Sequence, residues 1–158
     1  SFYKQERYGY NGKSFLIYKF RTMKNADSGL KKDLQQVMKN DKRVTRIGKI
    51  LRKYSLDELP QLFNVIKGDM SLVGPRPHAV SHNETYRHKI NGYMQRHSIK
   101  PGMTGLAQIK GLRGETKNID LMRKRIKSDL EYIQNWNLIL DLKILFKTFF
   151  IIFKGSAY

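Results

Sequence analysis

The sequence predicts an α+β fold that is mainly helical, with an N-terminal β-hairpin, several short helices and amphipathic C-terminal helices. An Asn-Gly pair between two strand-like runs indicates the hairpin. Apolar residues recur at steps of three and four in the second half of the chain, as they do along a helix face. The 158 residues contain no internal repeat and no low-complexity linker, so we expect a single domain spanning residues 1–158.

The hairpin is predicted over residues 2–23, with its turn at Asn11-Gly12, because both turn positions of this type need a positive φ. In an extended second strand the alternation of side chains puts Phe15, Ile17, Lys19 and Arg21 on one face. A cationic strand face of this kind is able to clamp a diphosphate. It is also typical of a solvated edge that is protected from aggregation.

Three helices are predicted next, over residues 30–38, 44–53 and 55–67, although the polar residues 24–42 that contain the first fit a mobile loop equally well. Ser55 and Glu58 have the spacing of a capping box at the start of the third. Pro60 would lie one turn into that helix, where it removes the hydrogen bond to the carbonyl of Leu56. We therefore expect an irregular or kinked helix start.

The second half alternates turns and helices. Residues 68–77 form a turn-rich connector, residues 80–96 have weak helical periodicity, and residues 100–114 predict a loop with a short strand. An amphipathic helix is predicted from the stripe Ile119, Met122, Ile126, Leu130 and Ile133. Residues 138–153 are mostly apolar but include lysines, which fits either a core helix or a helix in a membrane interface.

The charge balance limits the classes of partner. Lys and Arg number 31 against 13 Asp and Glu, a formal net charge of +18, and there is no Cys. The lack of cysteine excludes a disulfide framework, a thiolate metal site and a cysteine nucleophile. The charge predicts a polyanionic partner, and composition alone leaves nucleic acid, an anionic membrane and phosphate-bearing substrates open.

An adjacent acidic pair, Asp57 and Glu58, follows a strongly basic segment in a chain with few acids. The structural interpretation is that the pair caps a helix. The functional interpretation is that the irregular helix start leaves the two carboxylates free. Arg76 lies between two prolines, which present its guanidinium from a stiff backbone suited to phosphate. His78 and His82 are four residues apart, and a solvent-facing or hydrogen-bonded pair is favoured over a zinc site.

Four segments in this order resemble the bacterial sugar transferases, the monotopic polyprenyl-phosphate phosphoglycosyl transferases: residues 19–23 (KFRTM), 55–62 (SLDELPQL), 68–77 (GDMSLVGPRP) and 100–105 (KPGMTG). The resemblance covers essentially the whole chain. Residues 77–84 and 112–116 further resemble the branch that transfers a hexose-1-phosphate such as glucose or galactose phosphate.

The resemblance implies that the protein transfers hexose-1-phosphate from a UDP-sugar to undecaprenyl phosphate and releases UMP. This step begins exopolysaccharide, capsule or O-antigen synthesis at the cytoplasmic face of the bacterial inner membrane. It implies Asp57 as the nucleophile of a covalent intermediate, Glu58 as its acid–base or metal-associated partner, and Mg²⁺ held by this pair. Phosphate would be bound by Arg52, Arg76, Lys19 and Arg21. The nucleotide or sugar loop would comprise Pro101, Gly102, Thr104, Gly105 and Gln108.

The chain departs from the family pattern in two places. The family's upstream re-entrant membrane helix has no counterpart in the sequence, which predicts a truncated catalytic domain. Leu106 and Lys110 replace the aromatic residue and the asparagine of many relatives. The rival functions are a nucleic-acid-binding module and a non-catalytic membrane-surface adaptor. A polyanion binder gains nothing from an acidic pair within its most basic segment, so we expect no nucleic-acid partner.

Overall fold

The computed structural model describes residues 1–24, 41–114 and 118–154, and the helix predicted over residues 30–38 lies outside these ranges. The fold is α+β and mainly helical, as predicted. Its strands are β1 (Phe2–Tyr8), β2 (Ser14–Phe20), β3 (Ser71–Val73) and β4 (Gly102–Thr104). Its helices are α1 (Arg46–Lys53), α2 (Gln61–Ile66), α3 (Val80–Tyr86), α4 (Leu106–Ile109), α5 (Ile119–Gln134) and α6 (Leu138–Phe153). Short 3₁₀ segments cover Tyr10–Gly12, Leu56–Glu58 and Tyr93–Ser98.

The predicted hairpin is confirmed: β1 and β2 pair antiparallel, from Phe2 opposite Phe20 to Tyr8 opposite Ser14. Asn11 and Gly12 have φ of 53° and 70°, the positive values that the Asn-Gly pair predicts. The strand β2 ends at Phe20, so the predicted alternation of its inner face does not extend to Arg21. Ile17 on that face is buried.

The basic helix predicted over residues 44–53 is α1. Thr45 caps it, because its hydroxyl accepts a hydrogen bond from the backbone N–H of Gly48 at 2.9 Å. Gly48 packs directly against the segment that follows β2, since a Cβ there would lie 2.2 Å from the carbonyl oxygen of Thr22. This close approach brings the basic face of α1 next to the hairpin.

The connector predicted over residues 68–77 contains a strand that the sequence did not reveal. Within it, β3 pairs in parallel with β4, with Ser71 opposite Gly102 and Val73 opposite Thr104. The two backbone segments approach closely just past β3: a Cβ on Gly102 would lie 2.1 Å from the backbone nitrogen of Gly74. The short strand expected within residues 100–114 is thus confirmed, and its partner follows α2.

In the part of the chain that the structure describes, two clusters of buried apolar residues lie around α5 and α6. Met122 and Ile126 of α5 pack with Ile90 and Tyr93, and the other residues of the predicted stripe are partly buried against the core. The second cluster joins Val73, Tyr132 and Ile144. The amphipathic helix predicted from the 119–133 stripe is therefore confirmed.

Among the described residues, one face of α6 packs against the rest of the structure. Ile144 is fully buried, whereas most large apolar residues of the helix are exposed: Leu138, Ile139, Leu142, Leu145, Phe146, Phe149, Phe150 and Phe153. Neither α6 nor any other helix within the described ranges is long and apolar enough to cross a bilayer. The helix thus has a core face and a broad apolar outer surface.

Candidate active site

The acidic pair lies on a tight turn between α1 and α2, which we call the acidic turn (residues 55–60). Ser55 has φ of 55° in the left-handed region and makes no side-chain cap, so the predicted capping box with Glu58 is wrong. The predicted irregular start is confirmed: residues 56–58 are 3₁₀, and α2 begins only at Gln61. Because Pro60 cannot donate to the carbonyl of Leu56, Leu59 N–H donates to that carbonyl instead, at 3.2 Å.

This geometry turns both carboxylates inward. A 3₁₀ turn has about 3.0 residues, so residues three apart lie on the same side. Leu56 and Leu59 are 37% and 47% exposed, while Asp57 and Glu58 are only 9% and 8% exposed. With Leu56 and Leu59 on the outward side, the two adjacent acids occupy the other two sides of the turn, and both face the interior of the domain.

Three cations surround Glu58, and we call these four residues the Glu58 cluster. Lys19 Nζ lies 2.9 Å from Oε1, Arg113 Nη2 lies 3.2 Å from Oε2, and Arg76 donates to both carboxylate oxygens. Burial raises the pKa of Glu58, but the charges of Arg76, Lys19 and Arg113 outweigh it and hold that pKa well below its usual range. Glu58 is therefore ionised, and both of its oxygens are occupied.

Asp57 has the opposite environment. Within the described part of the chain its side chain accepts no hydrogen bond, although Lys19, Arg52 and Arg76 are close enough to act on it electrostatically. Burial raises the pKa of Asp57 in spite of these cations. The carboxylate is thus more basic than a solvated aspartate and keeps its lone pairs available, as a nucleophile requires.

The structure brings most of the predicted phosphate-binding residues to the acidic pair. Lys19 and Arg76 contact Glu58 directly. Arg52 of α1 donates through Nε to the hydroxyl of Thr22 at 2.9 Å and acts on Asp57 through its charge. Arg21 is exposed at the open end of the hairpin, where its Nε donates to Ser1 Oγ at 3.2 Å.

The predicted nucleotide loop packs against residues 74–78, which we call the Arg76 segment. The backbone N–H of Gly102 donates to the carbonyl of Pro75 at 2.9 Å, and Gly105 lies so close to Gly74 that a Cβ would be 2.2 Å from its oxygen. Thr104 is tied to Thr148 of α6 by a hydroxyl contact of 2.7 Å. Packing alone thus requires these two glycines, and contact with a nucleotide remains a prediction.

The other residues predicted for this loop are also bound to its own backbone or buried beneath it. Gln108 donates through Nε2 to the carbonyl of Met103 at 3.2 Å, and Pro101 is buried. The loop therefore lies directly behind the arginine that contacts Glu58.

Sequence reasoning assigned no site role to Arg113, which reaches both Ser55 of the acidic turn and Glu58. Its Nη1 donates to Ser55 Oγ at 2.7 Å, and its Nη2 contacts Glu58. The signal available was its place between Gly111 and Gly114, both with positive φ, in the segment that resembles the hexose branch. Charge and spacing do not distinguish it from the other 30 basic residues of the chain.

His78 of the predicted histidine pair takes part in a buried hydrogen-bond network. His78 is buried, its Nδ1 lies 2.7 Å from the hydroxyl of Tyr93, and it also contacts Arg96. Burial and the charge of Arg96 hold the pKa of His78 well below its usual range, so the ring is neutral. In the ranges that the structure describes, no group of three His, Cys, Asp or Glu residues is arranged to hold a metal ion.

The acidic pair fits a magnesium ion only in part. Mg²⁺ in enzymes that act on phosphates is held by one or two carboxylates together with phosphate oxygens and water. The open carboxylate of Asp57 fits such a ligand. The oxygens of Glu58 do not fit while Lys19, Arg76 and Arg113 occupy them.

A family profile and several known proteins are similar to this chain. The profile of the bacterial sugar transferase family matches residues 1–155. A UDP-glucose:undecaprenyl-phosphate glucose-1-phosphate transferase of Klebsiella pneumoniae is 58% identical over 99% of this chain and 33% of its own length. Proteins with the same name are 54% identical in Escherichia coli strain K12, over 97% and 32%, and 53% identical in Xanthomonas campestris pv. campestris, over 93% and 30%. The chain thus spans about a third of the length of these relatives.

Proposed function

The chain belongs to the bacterial sugar transferase family, and from this we propose that it carries the active site for transfer of a hexose-1-phosphate from a UDP-sugar to undecaprenyl phosphate. UDP-glucose is the first candidate donor, because the names of the three relatives above state it. The observation that carries the proposal is the contrast within the acidic pair. Both carboxylate oxygens of Glu58 are ion-paired, whereas the carboxylate of Asp57 is buried and accepts no hydrogen bond within the described part of the chain.

In the first step, a carboxylate oxygen of Asp57 attacks the β-phosphorus of the sugar nucleotide. The bond from that phosphorus to the bridging oxygen breaks, and the bridging oxygen leaves with UMP. The sugar phosphate is then held on Asp57 as an acyl phosphate. In the second step, an oxygen of undecaprenyl phosphate attacks the same phosphorus, the acyl phosphate bond breaks, and Asp57 is regenerated as a carboxylate.

Cations make this attack feasible. A diphosphate carries about two negative charges, which repel an attacking carboxylate unless positive charge lies between them. Arg76 and Arg113 reach the site from one side and Lys19 from the hairpin. We propose that Glu58 keeps these three cations beside Asp57 in the absence of substrate and shares them with the diphosphate when it binds.

We propose that the Asp57 carboxylate is a ligand of Mg²⁺. When bound by the Asp57 carboxylate and the diphosphate oxygens, Mg²⁺ would neutralise part of the negative charge that develops on the leaving UMP. Glu58 would be a second ligand of Mg²⁺ only if one of its three cations moved away. We therefore assign Glu58 first to the Glu58 cluster.

We propose that the acceptor reaches Asp57 from a membrane surface. Leu56 and Leu59 expose apolar surface on the acidic turn itself, and α2 adds Phe63 and Ile66. The outer surface of α6 is apolar and includes exposed Lys143 and Lys147, which suits an interface with anionic lipid headgroups. Because UDP-sugars are made in the cytoplasm, the membrane surface that α6 contacts would be the cytoplasmic face of the bacterial inner membrane.

The test uses the full-length protein in lipid nanodiscs, with Mg²⁺, undecaprenyl phosphate and either UDP-glucose or UDP-galactose. We expect acceptor-dependent release of UMP, which EDTA abolishes and Asp57→Asn reduces at least about 10³-fold. The control is Asp120→Asn, at an exposed residue of α5 that pairs with Arg123. Undiminished UMP release by Asp57→Asn would overturn the assignment of the nucleophile, and full activity in EDTA would remove Mg²⁺ from the mechanism.

A further inference from the structure

A buried ion pair lies behind the active site. Arg96, in the 3₁₀ segment Tyr93–Ser98, and Asp129, on α5, are 3% and 2% exposed. Arg96 Nη2 lies 2.8 Å from Asp129 Oδ2. Replacing such a pair with apolar residues of similar size is often neutral or stabilising, because desolvating two charges costs more than their attraction returns. Stability alone therefore does not account for this pair.

The guanidinium of Arg96 also holds the segment that carries Arg76. Its Nη2 donates to the backbone carbonyl of Arg76, and its Nη1 contacts Nδ1 of His78. The neutral ring of His78 accepts at that nitrogen, and the hydroxyl of Tyr93 approaches the same atom at 2.7 Å. One side chain thus fixes two positions on either side of Pro77.

A second arginine holds the adjacent carbonyl. Arg7 of β1 donates through Nη1 to the carbonyl of Pro77 at 3.3 Å. Pro75 and Pro77 have no backbone N–H, so this segment has few donors with which to fix itself, and its carbonyls are the groups available to hold it. Arg7 and Arg96 supply donors to two consecutive carbonyls, from the hairpin and from the α5 side.

The position of Arg76 matters because its guanidinium forks onto both oxygens of Glu58. We infer that Arg96, held in place by Asp129, is a positioning residue that fixes the Arg76 segment so that the guanidinium meets the substrate diphosphate beside Asp57. Arg96 itself does not touch substrate. This role rests on the proposed function, since it is defined by the reaction at Asp57.

Arginine is required for this role because a planar fork is able to serve Asp129, the Arg76 carbonyl and His78 together. Arg96→Lys retains the charge opposite Asp129, but it has one nitrogen in place of the two that Arg96 uses, Nη2 for Asp129 and the Arg76 carbonyl and Nη1 for His78. We expect this variant to keep its fold and to lower kcat for UMP release by about 10-fold to 100-fold, the effect of a misplacement near 1 Å. The KM for the UDP-sugar should change less.

A double variant separates positioning from stability. In Arg96→Met/Asp129→Leu of the full-length protein, two apolar side chains replace the pair. We expect its melting temperature to be close to that of the wild type, while kcat remains as low as in Arg96→Lys. A double variant with wild-type kcat would overturn the inference, because the pair would then be only a packing element.

Hydrogen exchange provides a readout that does not depend on activity. In Arg96→Lys we expect faster exchange in the peptide that covers residues 71–79 and unchanged exchange in α6. Unchanged exchange in residues 71–79 would overturn the positioning role whether or not the protein transfers sugar. Absence of UMP release by the wild-type protein would instead overturn the proposed function and leave the exchange result to decide the positioning of Arg76.

Discussion

The two adjacent carboxylates are predicted to have opposite effects on stability. Asp57→Asn and Glu58→Gln each remove one negative charge from neighbouring buried positions with almost no change in shape. Burial raises the pKa of Asp57, so its ionised form opposes folding at neutral pH. The pKa of Glu58 lies well below its usual range, since Arg76, Lys19 and Arg113 outweigh its burial, so its ionised form favours folding.

The loss of unfolding free energy in Glu58→Gln follows from the three cations that this substitution leaves without their carboxylate. The side chains of Lys19, Arg76 and Arg113 are 18%, 24% and 20% exposed, so water compensates only partly for the lost carboxylate. Removing one partner of a buried ion pair costs about 3–5 kcal/mol, and this residual exposure favours the lower value, about 3 kcal/mol. For a domain of this size, that corresponds to a decrease in melting temperature of about 6–12 °C.

The assay is calorimetry of the full-length protein in nanodiscs at pH 7.5, following the transition of this domain. We expect Glu58→Gln to lower its melting temperature and Asp57→Asn to raise it, while the control Glu84→Gln, at an exposed residue of α3, has no effect. The deficit of Glu58→Gln should shrink as the pH falls below about 4.5 through the lower pKa of the folded state. A destabilised Asp57→Asn together with an unaffected Glu58→Gln would refute the electrostatic reasoning.

Three further predictions concern the fold around the site. Ser55→Gly and Ser55→Ala both lose the hydrogen bond from Arg113, but alanine retains the strain of a positive φ, so thermal unfolding should find it less stable than glycine by about 1 kcal/mol. Gly102→Ala should destabilise the domain much more than Gly111→Ala, because its Cβ would overlap Gly74, whereas Gly111 has open space and only a positive φ; equal melting temperatures would contradict this packing. Burial and the charge of Arg96 lower the pKa of His97 to about 4, so stability should fall as the pH decreases from 6.5 to 4, and His97→Gln should reduce that loss in a pH series of melting temperatures.

Local chemistry accounts for the parts of the fold that the sequence predicted well. The Asn-Gly turn needs only two residues with positive φ, and the stripe on α5 needs only its own periodicity. Pro60 predicted the break in the helix because a missing N–H acts at one known position. The capping box failed because Ser55 adopts a left-handed conformation, in which its side chain makes no capping hydrogen bond.

The rest depended on contacts between distant segments. Nothing in residues 71–73 alone indicates that β3 pairs with a strand about thirty residues later. Lys19, Arg76 and Arg113 come from three separate segments, and only the fold brings them to Glu58. The resemblance identified the acidic pair, but the difference between its two members is a matter of burial and partners that the sequence does not contain.

The most direct test of the proposed mechanism is mass spectrometry of the full-length protein incubated with UDP-glucose and Mg²⁺ in the absence of undecaprenyl phosphate. We predict that the peptide containing Asp57 gains the mass of a hexose phosphate. Adding the lipid acceptor should remove this adduct, and Asp57→Asn should never form it. An acceptor-dependent enzyme that releases UMP while Asp57 stays unmodified, or a hexose phosphate attached to another residue, would contradict the account.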